Sequence, residues 1–178
     1  MVTTLDDIKR ISIAAKLADM KVIQNLLINN EQQLIEDCTD DDIRGHLQHM
    51  LKDDDKNLGV LDTVIVQYGV KGEPNQTTQK MVEQVRELME SSDLSLFEKV
   101  QEHELLKHKQ TMTGLLIHKA AQVVGADIEA AINPLNTVNF ENRDNFSYQQ
   151  LLQMATEFKT AKSKLQEQMA RANSETAR

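Results

Sequence analysis

The sequence predicts an all-α domain, and three observations lead there. Only two prolines, Pro74 and Pro134, and six glycines interrupt 178 residues. Hydrophobic residues make up 40% of the chain but aromatics only 3%, with no tryptophan, a composition that argues against a sheet. Between the breakers lie stretches long enough for four helices of about 26 to 33 residues and a shorter one in the middle.

The first helix begins at Thr4, where Thr4 and Asp7 have capping-box spacing, and runs to about Glu36. "DCTDDD" is the turn after it. Thr39 or Asp40 caps the second helix, and Asp40 to Asp42 complement its positive end. That helix stops near Tyr68 at "YGVKGEPN", rich in Gly and Pro. A shorter third helix spans Thr77 to Ser91. The fourth starts after Ser92 and Asp93 and ends at Val124, with Gly125 just beyond it. "ADIEAAI" adds a short turn of helix before Pro134. Residues 133–146 form an ordered loop carrying Leu135, Val138 and Phe140. The last helix covers Ser147 to Ala172, and "NSETAR" is a frayed tail. The chain is thus one domain, residues 1–172, with a flexible tail at 173–178.

The tight turn makes the first two helices antiparallel. Residues 70–93 are too many for a second tight turn, and the short helix within them recrosses most of the bundle at roughly 1.5 Å per residue. The fourth helix then runs parallel to the second. A single long crossover in the middle is the ferritin-like four-helix arrangement.

Composition narrows function. A net charge of −8 repels phosphates, so nucleic acid is not expected as a partner, and neither is an anionic membrane. No apolar run approaches the roughly 18 residues that span a bilayer, and the N-terminus lacks an apolar signal core. Cys38 is the single cysteine and cannot form an internal disulfide. A cytoplasmic protein is expected. There is no glycine-rich phosphate loop, no nucleophile elbow and no Cys–His pairing in context.

Helical projection then asks which polar residues point inward. In the second helix the seam reads Ile43, Leu47, Met50, Asp54, Leu58 or Leu61, Ile65 and Tyr68, with Asp54 in its middle and Asn57 at its edge. In the first it reads Ile8, Ile11, Ala15, Asp19, Val22, Leu26 and Gln33. Asp19 and Asn57 are equally distant from Cys38 in the turn, which predicts similar heights in an antiparallel hairpin. The fourth helix offers two stripes. One contains Phe97, Val100, Glu104, His108, Thr111, Leu115, His118 and Gln122, the other Leu105, Met112, Leu116, Ala120 and Val123. If the first faces inward, Glu104 and His108 lie near the height of Asp54, while His103 and Lys107 point to solvent. The seam of the last helix, Tyr148, Leu151, Ala155, Phe158, Leu165 and Met169, has no acid and no histidine.

"HELLKHKQTMTGLLIHKAAQVVGADIEAAINPLNTVNFENR", with "LDDIKR", "KLADMK", "LLINNEQ" and "LGVLDTVIVQYG", resembles cyanobacterial ferritin-like and hemerythrin HHE cation-binding-like proteins over about residues 1–143. The resemblance implies a ferritin-like bundle, cation-binding and linked to stress. A hemerythrin-type centre would need histidines on four helices, and the first and last helices here have none.

Two functions follow. In one, Asp19, Asp54, Glu104 and His108 hold iron or another divalent metal, with Asn57 or water assisting. In the other, the bundle is a metal-free structural or interaction module, whose inward polar groups fix helix register. Association into a homodimer is expected in either case.

Overall fold

The computed structural model describes residues 5–138, together with Gln153, Thr156, Thr160 and Ser163. Helix is the only regular structure among the described residues, which contain no strand. The elements are α1 (Leu5–Asp37), α2 (Asp41–Tyr68), α3 (Gln76–Glu90), α4 (Leu96–Val124) and α5 (Ala126–Ile132), then a 3₁₀ turn, Asn133–Thr137. Thr4, Phe140 and the tail at 173–178 lie outside the described residues. So does the predicted last helix, save the four single residues, which are helical and exposed.

Local chemistry sets the ends. Asp40 caps α2, its carboxylate accepting from the backbone N–H groups of Asp42 and Ile43, each at 3.0 Å. Gly69 ends α2 in the left-handed region at φ 70°, where a Cβ is strained. Asn75 caps α3 by accepting from the Thr78 N–H at 2.9 Å. A capping box formed by Ser95 and Glu98 opens α4, two residues beyond the expected start. The predicted short helix before Pro134 is α5.

Cross-helix contacts fix the directions. Gln24 meets Asp54, Lys21 meets Asp62, and Arg10 meets Tyr68, so α2 runs antiparallel to α1. Asp37 meets Lys99, Glu31 meets His103, and Arg10 meets Asp127, so α4 and the α5 segment also descend along α1. Consequently α2 and α4 are parallel to each other, as the long connection predicted. Asn75 binds Asp19, and Val82 packs with Ile23, Leu26 and Leu27, so α3 climbs parallel to α1.

The connection from α2 to α3 crosses directly over α1. A Cβ on Gly72 would fall 2.1 Å from the Ala14 carbonyl oxygen, a distance no side chain tolerates. Only glycine permits that crossing.

These contacts make α1 the hub, buried on several sides by α2, α3 and α4. Ile13, Leu17, Met20, Ile23, Leu27 and Leu34 are all buried. The expected single seam on this helix fails at its start, where Ile8 and Ile11 are exposed. Apolar packing gathers at the two ends of the bundle and, on the α3 side between them, around Ile23, Leu26, Leu27, Val82 and Leu106. Leu17, Met20, Leu61, Val64, Ile117 and Ile132 pack near α5, while Leu34, Ile43, Leu47, Met50, Met89 and Val100 pack near the α1–α2 turn. Between them lies a polar layer.

Candidate functional site

Three helices supply that layer. α1 contributes Gln24 and Glu31, α2 contributes Asp54 and Asn57, and α4 contributes His103, Lys107 and Gln110, all buried. Each sits where its helix faces the bundle axis, one or two turns from apolar neighbours such as Leu27, Met50 and Leu106.

Lys107 is the centre. Its Nζ donates to Asp54 Oδ2 at 2.6 Å and pairs with Glu31 Oε1 at 2.9 Å. His103 Nε2 lies 3.2 Å from the same Glu31 oxygen. Asn57 Nδ2 donates to Asp54 Oδ1 at 3.2 Å. The three charged side chains and the imidazole are no more than 1% exposed. Two glutamines extend the layer: Gln110 Nε2 donates to Gln24 Oε1 and to the Met20 carbonyl, and Gln24 Nε2 donates to the Asp54 carbonyl.

Electrostatics follow from burial. Loss of water raises the Glu31 carboxyl above its ordinary range, against the pull of Lys107. Burial and the Glu31 charge raise Asp54 to about 6. Burial alone would lower the Lys107 ammonium, but Glu31 and Asp54 outweigh it and hold it above the ordinary lysine value. Burial and the Lys107 charge push His103 down to about 3, so the imidazole is neutral near pH 7. A neutral ring fits this geometry when Nε2–H donates to Glu31. His103 Nδ1 and Glu31 Oε2 then have no hydrogen-bond partner.

The four residues predicted to meet at a metal are placed differently. Asp54 is in the layer, bound to an ammonium. Asp19 is buried elsewhere, accepting from the Asn75 N–H at 2.8 Å, from the Asn75 side-chain amide, and from Lys16 at 3.0 Å. It anchors the start of α3. The hairpin register opposes Gln24 to Asp54 and Lys21 to Asp62, so Asp19 lies beyond the height of Asn57. Glu104 is half-buried and His108 exposed. The reading of α4 is therefore reversed: His103 and Lys107 point inward and His108 outward. Among the described residues no group of three or more His, Cys, Asp or Glu side chains could hold a metal ion. The cation-binding expectation is corrected on that ground.

Sequence reasoning missed Glu31, His103 and Lys107. One signal was present on α4. Val100, His103, Lys107, Gln110, Gly114, Ile117 and Ala121 follow three- and four-residue steps and include two small residues, which permit close approach of helices.

No helix among the described residues is long and apolar enough to cross a membrane. No protein-family model matches the chain, and no solved structure does. The chain is similar to a protein of Nostoc sp. (strain PCC 7120 / SAG 25.82 / UTEX 2576) named DNA nickase, with 61% identity over 143 residues. That match covers 80% of this chain, which spans 41% of the relative's length. A relative of that name overturns the expected role, that of a metal-binding ferritin-like or hemerythrin-like protein linked to stress. It also overturns the exclusion of nucleic acid that rested on net charge.

Proposed function

We propose that this chain takes part in single-strand cleavage of DNA. The observation that carries the reading is the 61% identity over 143 residues to the protein named DNA nickase. Nicking adds water across one phosphodiester and leaves the opposite strand whole. The buried layer cannot perform that step, because its charged groups are no more than 1% exposed and a phosphate cannot reach them. Reacting groups on the described residues would have to stand at the surface, where His49 and His108 are exposed. A net charge of −8 opposes DNA, so cleavage by this chain is expected to require a divalent cation to screen the phosphates. For the fold, the crossover and the parallel α2 and α4 support ferritin-like connectivity.

The test is conversion of supercoiled plasmid to open circles by the purified chain. It is run with magnesium, with manganese and with chelator, beside His49→Ala and His108→Ala. Open circles without linear product support the reading, and loss in one histidine variant would assign a reacting group. If the chain nicks under none of these conditions, it is not itself a nicking protein.

A further inference from the structure

The polar layer does not balance its charge. Glu31 and Asp54 are two acids held by one ammonium, and Lys107 is the only buried cation among the described residues. Both carboxylates touch the same Nζ, so they stand side by side in a region that excludes water. Among the described residues the surroundings offer no second buried positive charge. On α1 the neighbour is Gln24, on α2 Asn57 and the exposed Asp55, and on α4 the neutral His103, half-buried Glu104 and Gln110. Asp55 and Glu104 are acids themselves. α3 meets this part of α1 through Val82. A fully ionised pair thus leaves one uncompensated negative charge in the core, which burial strongly disfavours.

We propose that the core binds one additional proton, shared between Glu31 and Asp54, and that this proton closes the α1–α2–α4 interface and its loss loosens it. The proton would supply a donor to a pair of acids in which Glu31 Oε2 has none. The raised values of both acids agree with it. As the two groups act on each other, the proton belongs to the pair. This inference is independent of the DNA reading.

The sign follows from linkage. An acid whose folded value is raised stabilises the fold at low pH, and that stability is lost as pH rises through the folded value, here about 6 for Asp54. His103 pulls the other way. Its folded value is lowered, so the unfolded chain gains a proton that the fold refuses as pH falls below the ordinary histidine range. The two effects partly cancel in the wild type and must be separated.

Two measurements do so on the full chain. Infrared difference spectra between pH 5 and pH 8 should show a buried protonated carboxyl that disappears with rising pH and is absent from Asp54→Asn. Thermal unfolding supplies the second readout, with Glu31→Gln as the alternative variant where Asp54→Asn does not fold. The melting temperature of wild type relative to Asp54→Asn should fall by roughly 3 °C or more from pH 5 to pH 8. In His103→Gln the melting temperature itself should fall over that range. An absent carboxyl band with a constant wild-type difference would show that both acids are ionised, and would overturn the proposal.

Discussion

α2 and α4 lie parallel on the same hub, yet they obey opposite rules. α2 turns aliphatic residues inward from Ile43 to Tyr68, interrupted only by Asp54 and Asn57. α4 buries His103, Lys107, Gln110 and Gly114 among Val100, Leu106, Ile117 and Ala121, and leaves Leu105, Met112, Leu116 and Val123 in solvent, Leu116 at 64% and Val123 at 77% exposure. The difference teaches that a hydrophobic stripe shows which face is apolar, while the bundle decides which face is inside. On α4 the decision came from two acids across the interface, which need a cation more than they need leucine.

The largest effect that sharpens this contrast is expected at Lys107. Lys107→Ala leaves Glu31 and Asp54 buried without their ammonium and should cost about 3–5 kcal/mol, read by urea denaturation. If it costs no more than a surface substitution, the layer does not hold α4 in place. On the conventional helix, Leu61→Ala opens a cavity at a fully buried site and should cost about 2–5 kcal/mol. Two such similar numbers would come from different physics. Adding Asp54→Asn and Glu31→Gln to a Lys107→Met background should restore stability, whereas nothing polar rescues Leu61→Ala.

Gly72→Ala tests the crossing over α1. Its Cβ would press on the backbone of Ala14 and Ala15, so a loss of about 1–3 kcal/mol is expected from overpacking. An unchanged midpoint would mean that the connection can lift off α1. Removing the α2 cap with Asp40→Ala should cost about 1 kcal/mol. The smallest effect belongs to the outer face of α4. Leu116→Ser should alter stability by less than about 0.5 kcal/mol, since surface changes rarely do more. A loss near 2 kcal/mol would show that this face is covered in the protein in solution.

The contrast also explains what could be read from sequence. The α2 seam, the Asp40 cap and the parallel placement of α2 and α4 were legible because each rests on local signals: periodicity, a capping residue and a connection length. Of the α2 seam, Asp54 was correctly placed inside. Its partners were not, since nothing near residue 54 announces that Lys107 arrives 53 positions later. Glu31 was missed for another reason: α1 is enclosed on several sides, so no single stripe divides inside from outside. On α4 the second apolar stripe was real but faces water, and of the first only its start, Phe97 and Val100, turns toward the core.

A hub at the N-terminal end has a consequence for the order in which the chain assembles. The α1–α2 hairpin needs only neighbouring sequence, so its closure is the cheaper step in loop entropy. Yet that hairpin brings Glu31 and Asp54 together before their ammonium is present, because Lys107 lies in the last long described helix. The intermediate therefore carries its own electrostatic penalty, and α4 must dock to relieve it. Assembly is expected to be cooperative: a chain cut at Ser95 should lack a sharp unfolding transition, and the complete bundle should form in one step, because its first half is held back by the charge that its second half neutralises.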